Sequence, residues 1–403
     1  MMTKNLLQPD KVIAPGSTIG ILGGGQLGRM IALAGTNLGY RFVTLEPTED
    51  SPCGQIADQI TASYGDKSAA RELASRSDVI TYEFENVDSE VAALLEDLSY
   101  VPQGSRLLYT TQHRLREKRA IEAAGVPVAP YREIVSLQDL QAAVKELGLP
   151  AVLKTATGGY DGKGQWVIRS EAEIAEAFDT LMKAGTELVL EKFIRFDKEL
   201  SVIAARSPRG EIRTFPVAEN IHVDNILHAS IVPARVDECI QQEAERLAAR
   251  IAESLEAVGL LAVELFLTGD GELYVNELAP RPHNSGHYTM EACRTSQFEQ
   301  HVRAVCNLPL GDTSLMTPVV MVNVLGEHMD EVEMRLMDGK WTDNKDQEQK
   351  GVNPVSVVPK VHLYGKSGAA AKRKMGHINL LCDNVEEAVS FIQQTKIWRN
   401  QQK

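Results

Sequence analysis

Two glutamates flanking a turn signal carry the most informative chemistry in this 403-residue chain. Segments 262–267 (AVELFL) and 273–278 (LYVNEL) read as strands, and Asp270-Gly271 between them is a strong hairpin signal. A two-residue turn there sets Glu264 directly opposite Glu277 on one sheet face. Like charges so placed destabilise a sheet, unless a cation lies between them or one carboxyl keeps its proton. Magnesium, a hard divalent ion, takes carboxylate oxygens together with substrate phosphates and water. The alternative is a solvated pair on an exposed face. The apolar neighbours Val263, Leu265, Phe266, Val275 and Leu278 count against it.

Two glycine-rich loops supply phosphate-binding chemistry. Lys154 to Trp166 (KTATGGYDGKGQW) lies between two strand-like segments and fails the P-loop pattern, because Lys163 arrives one position early with no Ser or Thr after it. A glycine-rich hairpin bearing a lysine suits a flap over phosphates, with Lys154 pointing inward; an exposed turn is the other reading. Gly23 to Gly28 (GGGQLG) fits G-x-G-x-x-G after a strand, and Glu46 follows 18 residues beyond Gly28. That context suits a dinucleotide, but glycines at a helix N-terminus admit any phosphate, and a plain tight turn is also open. Lys366, Arg373 and Lys374 form a basic cluster that reads as an anion site or as a solvated patch. Glu191-Lys192-Phe193-Ile194, with Glu199 beyond, could offer backbone groups to a purine.

The elements that must position these groups follow from periodicity. Strands are expected at 17–22, 41–45 and 78–82 with a helix at 26–38, which implies a parallel sheet with right-handed crossovers. A charged helix is expected at 112–124, ending at Gly125, with Pro127 and Pro130 as punctuation. Further strands are expected at 150–154, 165–168 and 188–194. Ile240, Ala244, Leu247, Ile251, Leu255 and Val258 mark an amphipathic helix. Residues 340–351 read as an exposed loop, and 361–381 has strand character around the basic cluster.

Composition sets the class. Fifty-five acidic against 42 basic residues give a net charge of −13, against a nucleic-acid binder. No apolar run is long enough to span a bilayer, so no membrane partner is expected. The first residues lack an apolar signal core. Five dispersed cysteines without C-x-x-C argue for reduced thiols in a cytoplasmic protein.

Taken in order, GGGQLGRM, YEFENV (82–87), GGYDGKGQW, EKFI, VNELAPRPHNSGHYT (275–289) and HLYGK through RKMGH resemble the ATP-grasp superfamily. The closer likeness, across essentially the whole chain, is to the 5-(carboxyamino)imidazole ribonucleotide synthase family. The resemblance implies an α/β fold in three parts. These are a parallel, Rossmann-like αβ domain (1–110), a two-lobed ATP-grasp domain (111–310, smaller lobe about 125–195) and a small C-terminal domain (311–403). It implies ATP-dependent carboxylation of 5-aminoimidazole ribonucleotide by bicarbonate through carboxyphosphate, with Mg2+ and as a homodimer.

Residue by residue, the resemblance puts Arg114 and Lys154 on the ATP phosphates. The flap of Gly159, Tyr160, Asp161, Gly162, Lys163, Gly164 and Gln165 covers them. Glu191, Lys192, Phe193 and Ile194 hold adenine, Glu199 the ribose, His222 and Asn276 lie nearby, and Glu264 and Glu277 bind the metal. Gly25, Gln26, Leu27 and Glu83 meet the imidazole ribonucleotide, and Lys366, Arg373 and Lys374 its phosphate. Tyr160 and Asp161 face the amine, with Asp161 able to take its proton. Arg281 holds bicarbonate, and His283 is a candidate base, equally open to a structural role. The chain departs from biotin-dependent carboxylases, which place a glutamate just after that arginine. It also has Ala279 where many ATP-grasp enzymes carry a metal-binding Asn. Three other readings compete: a formate-dependent glycinamide ribonucleotide transformylase, an NAD-dependent dehydrogenase, and a non-catalytic nucleotide sensor.

Overall fold

The computed structural model describes residues 10–158, 163–183, 186–341 and 357–398. Near the N-terminus, strands Asp58–Ile60, Arg41–Leu45, Thr18–Leu22 and Val79–Tyr82 lie side by side in that order, all parallel. The near-continuous burial of strands Thr18–Leu22 and Val79–Tyr82 is what a parallel sheet covered on both faces demands. The glycine loop follows Thr18–Leu22 and opens helix Gln26–Asn37.

The charged helix expected at 112–124 is Arg114–Ala123, and a separate helix, Gly104–Thr111, runs up to it with a break between the two. The break has a cause. His113 is extended, and the Gln112 side-chain amide donates to the carbonyls of Glu85 (2.6 Å) and Val87 (2.7 Å). Arg114–Ala123 then starts a fresh turn, with Lys118 one turn beyond Arg114 on the same face.

A four-stranded antiparallel sheet follows, ordered Tyr131–Ile134, Leu188–Lys192, Ala151–Thr155 and Gln165–Ile168. Helices Leu137–Leu147 and Ile174–Leu181 bury Leu140, Val144 and Ile174 against its Leu153 and Leu190. The strand expected at 188–194 stops at Lys192.

The second sheet has nine strands and runs antiparallel throughout. Its order is Leu273–Ala279, Gly259–Leu267, Lys198–Arg206, Ala218–Val223, Ile226–Val232, Val319–Leu325, Lys374–Leu381 and Val358–Leu363, with Ile212–Thr214 beside Lys198–Arg206. Helix Glu238–Ser254 seals one face, packing Leu247 and Ile251 among Val202 and Val263. The sheet crosses without interruption from the strands bearing the carboxylate pair to the C-terminal strands.

The hairpin reached the expected pairing by another route. Glu264 does stand opposite Glu277, but the turn is Gly269-Asp270-Gly271. Thr268 donates its N–H to the Glu272 carbonyl (3.0 Å) and Gly271 sits at φ 86°, the left-handed residue that closes a three-residue hairpin. Pairing near the turn is therefore one residue out of the expected register. A bulge between Glu264 and Leu265, with Asn276 as the extra residue, restores it.

Among the described residues no helix is long and apolar enough to cross a membrane. All five cysteines are free thiols, and only Cys239 is exposed.

Candidate active site

A cleft of about 780 Å³ opens where the two antiparallel sheets and the N-terminal domain meet. The large sheet contributes Glu199, His222, Glu264, Phe266, Asn276 and Glu277; the small sheet contributes Lys154, Gln165 and Glu191, followed by Lys192, Phe193 and Ile194. Arg114 enters from its helix, Lys163 from the flap, and Arg281 and His283 from the segment after Leu273–Ala279. Gly25, Gln26, Leu27 and Glu83 close the N-terminal side, and Lys374 reaches in from the C-terminal strand. Gly164, Lys366 and Arg373 do not line it. Gly159, Tyr160, Asp161 and Gly162 lie outside the described residues. Gly164 anchors the flap, accepting at its carbonyl the N–H of Thr155 (2.8 Å).

On the nucleotide side, buried Glu191 is gripped by two lysines. Lys154 Nζ lies 3.0 Å and Lys118 Nζ 3.3 Å from Glu191 Oε2. Burial alone would raise the Glu191 carboxyl, but Lys118, Lys154 and Arg114 hold it down at about 2. Glu117 on the same helix is buried next to Glu277, and burial first, then that neighbour, pushes it up to about 8. Arg114 stands 3.6 Å from Glu277. The ring of Phe266 stacks on Phe196 (4.5 Å, 4°), giving the cleft an aromatic wall.

Burial, and next the charge of Glu277, pushes the Glu264 carboxyl up to about 8. Two facing carboxylates that resist joint ionisation, beside an anion-binding cleft, fit a divalent ion that completes its shell with phosphate and water. Among the described residues no cluster of three or more acidic, His or Cys side chains offers a self-sufficient metal cage. Glu264 Oε1 also lies 3.1 Å from His283 Nε2, and His283 Nδ1 meets the Ser285 hydroxyl at 2.9 Å. Burial, then Arg281 and Lys374, push His283 well below the ordinary histidine range. Its imidazole is therefore neutral. His222 Nδ1 is 3.0 Å from Glu199 Oε2.

At the first glycine loop, the anion-binding amides are already taken. Glu83 accepts the N–H groups of Gly25 and Gly28, and Glu46 accepts that of Gly24 (2.9 Å). The acidic residue that would hold a dinucleotide ribose instead caps the loop, as a phosphate would, so the dehydrogenase reading loses its site. Lys366 donates to Gln26 Oε1 and to the Lys374 carbonyl (2.8 Å), tying the C-terminal tail to this loop. Arg373 donates to the carbonyls of Ser367 and Gly368.

Comparison with known proteins fits this geometry. A model of the ribonucleotide synthetase preATP-grasp domain matches residues 17–112, the ATP-grasp domain matches 119–298, and the phosphoribosylaminoimidazole carboxylase C-terminal domain matches 319–390. The N5-carboxyaminoimidazole ribonucleotide synthase of Bacillus subtilis (strain 168) is 52% identical over 391 residues, covering 97% of each chain. The chain belongs to the N5-carboxyaminoimidazole ribonucleotide synthase family. A synthase of this family in Staphylococcus aureus (strain N315) is 40% identical over 92% of this chain and 94% of its own. A crystal structure of an N5-carboxyaminoimidazole ribonucleotide synthetase with ADP superposes with a TM-score of 0.90 at 54% identity, covering 98% of this chain and all (100%) of that one. The Aspergillus clavatus synthase in complex with ADP and 5-aminoimidazole ribonucleotide gives 0.83 at 30% identity, covering 94% and 97%.

Within this synthase framework, sequence reasoning missed Lys118, Glu117 and Glu85. Lys118 and Glu117 sit in a run of charges (RLREKR) that reads as a solvated helix, yet both are buried. The available signal was spacing, since Lys118 follows Arg114 by one helical turn. Glu85 stood inside the quoted YEFENV segment without a role.

Proposed function

We propose that the chain carries out the ATP-dependent carboxylation of 5-aminoimidazole ribonucleotide by bicarbonate. The products are N5-carboxyaminoimidazole ribonucleotide, ADP and phosphate, in de novo purine biosynthesis. The observation that carries this reading is one cleft in which the facing carboxylates, the Lys154–Glu191 pair, Arg281 and the glycine-loop residues converge, in a chain 52% identical along 97% of its length to a synthase of that name.

A bicarbonate oxygen attacks the γ-phosphorus and ADP leaves. The exocyclic amine then attacks the carboxyl carbon of carboxyphosphate, phosphate leaves, and the amine loses a proton. Bicarbonate needs this activation because it is a poor electrophile until one oxygen becomes a phosphate leaving group. Glu264 and Glu277 would hold Mg2+, which when bound would offset charge on the transferred phosphoryl group. Arg114 and Lys154 bind phosphates under the flap, residues 191–194 hold adenine, and Glu199 meets the ribose with His222 and Asn276 close by. Arg281 binds bicarbonate, and His283 is the candidate acceptor of its proton. Gly25, Gln26, Leu27 and Glu83 seat the ribonucleotide, whose phosphate meets Lys366, Arg373 and Lys374. Asp161, beside Tyr160, takes the amine proton. The enzyme works in the cytoplasm as a homodimer. The family likeness supports these assignments; burial and Arg281 make His283 a weak base, so its role as acceptor rests on that likeness alone.

Steady-state ADP release with magnesium-ATP tests the reading, with and without bicarbonate and with and without 5-aminoimidazole ribonucleotide. Full turnover requiring both substrates is expected. Turnover supported by formate and glycinamide ribonucleotide instead would overturn it.

A further inference from the structure

Arg281 is the residue best placed to hold bicarbonate, yet its fork is filled from within the chain. Its Nε and Nη2 donate to the two oxygens of Glu85, the second at 3.0 Å, and Nη1 donates to the Pro282 carbonyl at 3.2 Å. A carboxylate and a bicarbonate present the same planar pair of oxygens at the same spacing, and both suit the same guanidinium edge. Glu85 thus stands on Arg281 in the geometry that bicarbonate would use.

The placement of Glu85 gives this contact a direction. Its backbone is pinned by the Gln112 amide, while its side chain is about a third exposed (34%) and lines the cleft. The backbone is held, and the carboxylate end faces the cleft. Two residues earlier in the same segment, Glu83 holds the amides of Gly25 and Gly28. One short segment therefore touches both the loop assigned to the ribonucleotide and the arginine assigned to bicarbonate.

We propose that Glu85 is a positioning residue that occupies Arg281 as an internal competitor of bicarbonate and yields it when the ribonucleotide is seated. The inference rests on the function proposed above. Its use is chemical economy: carboxyphosphate formed with no amine at hand is lost to water, and each such loss consumes one ATP. Holding the arginine until the acceptor arrives ties ATP cleavage to product.

Glu85→Gln tests it, because the amide keeps the shape and removes the charge that competes. Freeing Arg281 from one partly exposed ion pair should lower the bicarbonate KM about fivefold for ADP release without ribonucleotide, the state in which Glu85 holds the arginine. ADP release with bicarbonate but no ribonucleotide should rise, so that more than one ADP appears per carboxylated product. The ATP KM should stay at the wild-type value. Glu85→Ala should move the bicarbonate KM in the same direction. A tighter KM cannot result from a damaged fold, so this readout separates competition from scaffolding. A bicarbonate KM that rises in both variants would make Glu85 a support for Arg281 and overturn the inference, as would an unchanged KM with unchanged stoichiometry. Wild-type enzyme whose ADP release ignores bicarbonate would overturn the proposed function instead.

Discussion

Lys118→Met removes a buried cation that does not line the cleft, so its effect reports on the charge cluster and not on a direct ligand contact. Lys118 is 1% exposed, and its ammonium lies 3.3 Å from Glu191. The cations around Glu191 take its carboxyl from an ordinary 4.5 to about 2. At about 1.4 kcal/mol per pH unit, that difference is worth roughly 3 kcal/mol of stability near neutral pH. The charge of Lys118 is the first of the lowering causes, ahead of the charges of Lys154 and Arg114, so its loss should remove a substantial part of that difference. Methionine fills the volume of the lysine stem, and losing a buried ammonium recovers some desolvation, so a net loss of about 1–2 kcal/mol is expected. The sign with pH follows from the depressed carboxyl. Its stabilisation is complete above the unfolded value of 4.5 and is lost as pH falls towards about 2. The gap between variant and wild type should therefore be constant from pH 7 to about 5 and close below about 4. Urea unfolding followed by tryptophan fluorescence across that range measures it. Equal stability of Lys118→Met and wild type at pH 7 would refute the reasoning, as would a gap that widens in acid.

Three further outcomes are expected. Glu277→Gln should lower kcat for ADP release by roughly two orders of magnitude or more while the thermal midpoint holds or rises, because the variant removes a metal ligand and a like-charge clash together; activity near wild type would refute the metal assignment. Gly23→Ala should destabilise by about 2–4 kcal/mol in a thermal melt, since Gly23 sits at φ +112° and a Cβ there falls 2.4 Å from Glu83 Cγ. Burial first, and then Arg373 and Lys374, bring the Lys366 ammonium down to about 8. Raising the pH through 8 therefore discharges it, and the KM for the ribonucleotide should climb there; Lys366→Arg should flatten the climb.

What was legible in the sequence was what chain-local chemistry dictates. Strands 41–45 and 165–168 fall where the pattern puts them, because alternation and apolar runs are local properties. The Glu264–Glu277 pairing was legible too, although Asp270-Gly271 suggested a tighter turn than Gly269-Asp270-Gly271 and only the bulge at Asn276 restored the match. No local pattern announces a bulge that compensates a turn. The failures are tertiary. Lys118 and Glu117 look solvated by composition, and tertiary packing alone makes them interior, with Lys118 against Glu191 and Glu117 beside Glu277 on strand Leu273–Ala279. The glycine loop was visible, but that Glu83 and Glu46 cap its amides depends on parallel strands that lie far apart in sequence.

The unbroken nine-stranded sheet bears on how such an enzyme can be rearranged by recombination. Ala229 to Val232 pair with Val322 to Val319, so the C-terminal segment is stitched into the lobe that carries Glu264. Cutting the chain before Val319 would strip a fully buried strand from its neighbour and bare a long apolar edge, the kind of surface on which chains stick to one another. The tail that brings Lys374 to the cleft thus cannot be traded as a bead on a string. Any exchange must respect ladder register as well as sequence, and the two halves must be inherited together.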